Sequence, residues 1–212
     1  MPNHISNFLT INDVSEERVN EILDAIAVSK PDNWEYGDSQ LNTETDQSKW
    51  GRGTIDFNGL VPEPDYAEDE AGPNHNPNWY KWRRDNWGNK WNAYGCSLLE
   101  PNRIFFLTAW SNVLGLMVKL SEDFPDASFK YEYFDEDFGA QVGSVTLKAG
   151  NKLNTTFPED FSKEAYDLIF QMSDGTAEYY GMRYDETVNT YVYVDDGVVN
   201  TYVYADDGKL AE

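Results

Sequence analysis

His4, His75 and Cys96 are the side chains of this 212-residue chain best suited to proton or thiol chemistry near neutral pH. A general base at His4 needs a nucleophile or an orienting carboxylate beside it. Its neighbours are Asn3 and Asn7, and no Ser-His-Asp or Cys-His arrangement stands out. His4 therefore reads as a structural residue of a first strand. Cys96 has no evident activating base. A single cysteine forms neither an intramolecular disulfide, nor a Cys-based zinc site, nor a four-thiolate cluster. Asp135-Glu136-Asp137 resembles the start of a calcium loop, but the glycine and distal glutamate of an EF-hand do not follow. There is no G-x-x-x-x-G-K loop and no G-x-G-x-x-G turn. These residues predict no catalytic centre, no metal site and no cofactor, so the chain reads as a non-enzyme.

The other informative residues suit contact rather than catalysis. Residues 78–94 (NWYKWRRDNWGNKWNAY) hold four of the seven tryptophans and four of the 16 basic residues. Such interleaving can grip single-stranded nucleic acid. The favoured expectation is that Trp82, Trp87 and Trp91 pin a long crossover onto a sheet, while Arg83 and Arg84 pair with acids. The C-terminus carries a tandem repeat, VNTYVYVDDG at 188–197 and VNTYVYADDG at 199–208. A two-residue turn at Asp196-Gly197 would pair the copies. One face would then be aliphatic and packed on the core. The other would carry Tyr191, Tyr193, Tyr202 and Tyr204 and be free for a partner. The alternative is a duplication that merely lengthens a solvent-facing hairpin. Acidic turns add Asp135, Glu136 and Asp137, and Asp195, Asp196, Asp206 and Asp207. Turns lie on the surface, so these carboxylates are candidate partner contacts too.

Charge narrows the functional classes. Thirty-eight acidic residues face 16 basic ones, a net charge of -22, yet 40% of residues are hydrophobic and 15% aromatic. That composition folds; it is not a disordered acidic tail. A domain of this size needs a charge of only about 2–8 for solubility. The excess repels nucleic acid and acidic membranes and attracts basic protein surfaces. The start, MPNHISNFLTIND, lacks the basic and apolar regions of a signal peptide, and no stretch approaches the roughly 18 apolar residues of a membrane span. The expected location is the cytoplasm of a bacterial host.

These residues must be held by a fold. Ile5 to Ile11 reads as a strand. Ser15 caps a helix whose Val19, Ile22, Leu23 and Ile26 share one face. Gly53 to Val61 (GTIDFNGLV) alternates and reads as a second strand. Arg103 to Trp110 reads as a buried strand and Leu114 to Phe124 as a helix stopped by Pro125. Phe129 to Phe134 and Val142 to Leu147 read as strands, Phe161 to Met172 as a third helix, and three short strands follow from about Ala177. Two strand–helix–strand units predict an α+β class. The architecture is a ferredoxin-like split βαβ with an antiparallel sheet, extended by a C-terminal helix and β-hairpin. Residues 1–150 would form this domain, with a tryptophan-rich insertion at about 31–95. Residues 151–212 would add the helix and strands, packed on the same sheet.

Five segments carry a resemblance: MPNHISNFLTI, GTIDFNGLVPEP, WGNKWNAYG, FFLTAWS and FPDASFKYEYFDEDFGAQVG. Together, over about Met1 to Gly143, they are similar to the YubB ferredoxin-like family of enterobacterial plasmids and temperate phages. Asn112-Val113 stand where that family often has prolines. The resemblance implies a ferredoxin-like domain and a mobile-element origin, and no established activity. With the charge it suggests a binding protein that inhibits a host defence or nucleic-acid-binding protein, of anti-CRISPR or anti-restriction type. DNA mimicry is one route: 22 charges match about 37 Å of duplex, against a globule about 43 Å across. The expected partner has a basic surface; nucleic acid and membranes are not expected to bind directly, and the oligomeric state is left open. Two alternatives stand beside this: a non-mimic interaction module using the tyrosine face, and a small-molecule-binding protein or enzyme with an aromatic pocket.

Overall fold

β1 (His4–Asn12) lies at the centre of the sheet and is buried on both sides. This computed structural model describes residues 2–29, 50–65 and 78–194. Ile5, Leu9 and Ile11 point to one face of the sheet, and Phe8 to the other. α1 (Glu16–Ile26) begins as expected: the Ser15 hydroxyl accepts the Arg18 N–H, and Val19, Ile22, Leu23 and Ile26 are buried.

The expected strand at Gly53–Val61 does not form. Asp56 instead caps a single turn, α2 (Phe57–Leu60). Its carboxylate accepts the Asn58 N–H at 3.0 Å and the Asn92 amide at 2.7 Å. Local side-chain acceptors of this kind compete with a strand ladder. The alternating Ile55 and Phe57 are buried in the core without belonging to the sheet. After α3 (Asn78–Asn86), the strand position is taken by β2 (Tyr94–Glu100), a half-buried edge strand with two register shifts.

The rest of the main body follows the sequence reading closely. β3 (Arg103–Ala109), α4 (Leu114–Asp123), β4 (Ser128–Asp135) and β5 (Gly143–Lys148) succeed one another. β6 (Asn151–Thr156) had no sequence signature because every residue in it is exposed. α5 (Lys163–Met172) is capped by Ser162. β7 (Met182–Asp185) and β8 (Thr190–Tyr193) form a separate antiparallel pair. The expected pairing of residues 188–194 with the second repeat copy falls outside the described residues.

The main sheet runs β2-β3-β1-β4-β5-β6, with every neighbouring pair antiparallel. β3 sits between β1 and β2, and β1 sits between β3 and β4. Each βαβ unit is thus split by a strand of the other, the ferredoxin-like arrangement. α1 and α4 cover one face. Ala165, Ile169 and Met172 of α5 cover part of the other, against Phe8, Phe105 and Phe134. Among the described residues no helix is long and apolar enough to cross a membrane.

A buried polar network ties the sheet to α4. Asn7 donates to the Phe106 carbonyl and the Thr108 hydroxyl. The Tyr131 phenol donates to Asn7 Oδ1 and accepts the Val113 N–H at 3.0 Å. Val113 offers no side-chain cap to α4, so the tyrosine supplies the partner for its backbone N–H.

Candidate functional site

One end of the sheet gathers most of the notable side chains. There β1 begins, β2 begins, and β3 and β4 finish. On one side of this end lies an aromatic pair. Trp91 and Trp110 are 37% and 46% exposed, with ring centroids 5.1 Å apart. Lys90 Nζ lies 5.1 Å from the Trp91 centroid and 5.8 Å from that of Tyr80. Two loops build this platform. Asn89 is buried and donates to the carbonyls of Ala109 and Ser111, and the Ser111 hydroxyl donates to the Gly88 carbonyl. Trp110 sits at φ 66°, a left-handed conformation that costs a bulky residue roughly 1–3 kcal/mol. Its N–H is held by the Asn3 carbonyl at 2.8 Å.

The neighbouring tryptophans behave differently. Trp87 is buried, with its indole N–H on the Val61 carbonyl, and Trp82 packs against the core. Those two pin the crossover as the sequence suggested; Trp91 is turned outward. Arg83 donates to the Glu63 carboxylate through Nε and Nη2 and lies near the Trp79 and Trp87 rings. Arg84 lies near the Tyr80 ring.

His4 occupies the middle. Its Nδ1 is 2.7 Å from the Tyr94 phenol. Burial, and then the Glu136 carboxylate, push that phenol up to about 12. A phenol that holds its proton so firmly is a poor acid, and at neutral pH it is not ionised to serve as a base. Cys96 is buried, and desolvation pushes its thiol up to about 11. Among the described residues no group of three or more His, Cys, Asp or Glu side chains is placed to hold a metal.

The acidic turn after β4 divides by burial. Asp135 is 1% exposed and not free for a partner. It accepts the Asn3 amide, the Asp137 N–H and, at 2.6 Å, the Gln141 amide. It organises the turn from inside because it is the last residue of a buried strand. Glu136 and Asp137 are exposed. Nearby, Asp160 accepts the Gln141 N–H and Phe161 donates its N–H to the Gly139 carbonyl. Tyr193 is 64% exposed.

Tyr191 does not sit on an open tyrosine face. Its ring packs among Tyr166, Phe170 and Tyr184, and its phenol donates to Asp167 at 2.8 Å. The helix α5 offers an aromatic cleft that a tyrosine fills better than a valine. Asp195, Asp196, Tyr202, Tyr204, Asp206 and Asp207 lie outside the described residues.

Charge is unevenly matched. The described residues contain 25 acids and 13 bases. Ten of those bases pair with carboxylates, among them Arg18, Arg52, Arg83, Arg103 and Lys163. Among the described residues the acids without such a pair outnumber the three remaining bases, Arg84, Lys90 and Lys152, severalfold.

Residues 87–180 match the family described as a ferredoxin-like domain in Api92-like protein. The match runs from Trp87 through α5 and includes Trp91, Trp110 and the acidic turn. It agrees with the split βαβ topology and names no activity. No curated protein and no solved structure matches the chain.

Proposed function

We propose that this chain works by binding rather than turnover, and that its partner is a host nucleic-acid-binding or defence protein with a basic surface. The observation that carries the reading is the charge balance of the described residues, where 25 acids face 13 bases and ten of those bases are already paired, which leaves the carboxylates in clear excess. Such a surface draws in a basic protein and turns away nucleic acid. The tightly held Tyr94 proton and the buried Cys96 support a non-catalytic role. A plasmid or phage origin, implied by the similarity to the YubB family, supports a target among restriction or CRISPR proteins of a bacterial cytoplasm.

Acids lie on α1 and α4, on one face of the sheet, and on α5, on the other. This distribution favours a general acidic field over a single DNA-shaped face. The exposed Trp91–Trp110 pair favours a second reading, an interaction module with an apolar anchor, since tryptophan is enriched where interfaces gain most energy. The two make different demands. Pull-down from a bacterial lysate with the intact protein should enrich nucleic-acid-binding proteins, and added duplex DNA should compete. Retention insensitive to DNA, but lost in Trp91→Ala/Trp110→Ala, would favour the module. Capture of nothing basic removes the electrostatic reading.

A further inference from the structure

We infer that the groove between β7 and α5 is a binding site for an extended peptide, and that the two tandem copies of V-N-T-Y-V-Y compete to fill it. In the structure the first copy is the occupant. β8 pairs with β7 in the register Arg183↔Val192 and Tyr184↔Tyr191. Three consecutive side chains make its specific contacts. Asn189, at φ 55°, accepts the Tyr184 phenol at 2.6 Å. Thr190 donates its hydroxyl to the Phe161 carbonyl at 2.7 Å. Tyr191 packs edge-on against Tyr166 and Phe170 and donates to Asp167 at 2.8 Å. The groove therefore reads Thr-Tyr in an extended chain, preceded by an asparagine in the left-handed conformation at the end of the turn.

The same three residues recur in the same order as Asn200, Thr201 and Tyr202, followed by the same Val-Tyr. Every side-chain group that the groove recognises is thus present a second time, 11 residues further on. What separates the two registers is the connecting loop. It spans residues 186–189 for the first copy and would span 186–200 for the second. Loop closure scales as about the 3/2 power of length, so growth from 4 to 15 residues disfavours the second copy by roughly sevenfold. That is a modest preference. It leaves the second copy as a minor occupant and a ready replacement, and an intramolecular one, because a tethered segment acts at effective concentrations in the millimolar range. The inference is independent of the proposed partner, since it concerns only the chain's own tail.

The test uses the full chain with pairs of introduced cysteines and a short thiol crosslinker; the buried Cys96 thiol is a slow competitor. Arg183→Cys/Val192→Cys reports the first copy and Arg183→Cys/Val203→Cys the second. The second pair should crosslink within one molecule at a minor level. That yield should rise several-fold when Tyr191→Ala is added and vanish when Tyr202→Ala is added. A yield indifferent to Tyr191→Ala overturns the inference, as does crosslinking only between molecules. Thermal unfolding gives an independent reading. Tyr191→Ala alone should cost no more than the roughly sevenfold register preference, and Tyr202→Ala alone almost nothing. Together they should cost far more than their sum. Additive losses overturn the proposal.

Discussion

Asp135 and Asp137 stand two residues apart in one acidic turn and occupy opposite environments. Asp135 accepts three hydrogen bonds from inside the protein, whereas Asp137 is exposed. Asp135→Ala strands three donors and should cost about 1–3 kcal/mol. Glu136→Lys/Asp137→Lys should stay within about 0.5 kcal/mol per site. Denaturant unfolding checks both, and equal costs would contradict the burial assignment. The sequence could show that this turn is acidic. It could not show that one acid points inward, because burial at a strand end depends on which strands flank it. Tyrosines give a pH signature at the same scale. Tyr131 is fully buried and desolvation holds its phenol well above the usual value; Tyr94 is pushed up to about 12. The folded state thus keeps these protons to higher pH than the unfolded chain, whose phenols titrate near about 10. Stability from this source is intact below pH 10 and falls as pH rises through and above it. Urea midpoints at pH 8, 10 and 11 should decline in that order, with a shallower decline in Tyr131→Phe. A flat profile would rule this out.

Elements with a strong pattern were legible and those without were not. α1, α4 and α5 bury one periodic apolar face, β5 alternates, and β3 and β4 are apolar runs buried on both faces, so their residues announce them. β2 and β6 lie at the sheet edges and bury little, so nothing in YGCSLLE or NKLNTT distinguishes them from loop. The stretch 53–61 misled for the opposite reason. Its alternation is real, but Asp56 and Asn92 fold it into a capped turn whose apolar residues reach the core separately. The platform of Trp91 and Trp110 was hidden because it joins residues from two loops through Asn89, a contact that no local pattern encodes. The β4–β5 connection shows how tightly such loops are specified. Gly139 has φ 111°, and a Cβ there would meet the Tyr166 ring at 2.8 Å. Gly139→Ala should therefore suffer both backbone strain and overpacking, about 2 kcal/mol or more. A melting temperature within one degree of the parent would show that the turn and α5 can yield.

At the scale of the whole molecule, a charge of -22 acts on folding and on binding with opposite sign. Within the chain, like charges repel in the compact state, and most of the described bases are already paired. Salt screens that repulsion, with a Debye length falling from about 30 Å at 0.01 M to about 10 Å at 0.1 M. Thermal stability should consequently rise as sodium chloride goes from low to moderate concentration. Association with a basic partner rests on attraction between the same acids and the partner's cations, so the same salt should weaken it steeply, chiefly through a slower encounter. The two measurements belong together because each excludes a different error. Affinity that falls while stability also falls would mean that salt simply unfolds the protein. Affinity that holds while stability rises would mean that the acids only keep the chain soluble. The contact would then rest on apolar groups such as Trp91 and Trp110, and Glu136→Lys/Asp137→Lys should leave it untouched. Rising stability with falling affinity, the latter further reduced by that charge reversal, is the result expected of an acidic protein that captures a basic one.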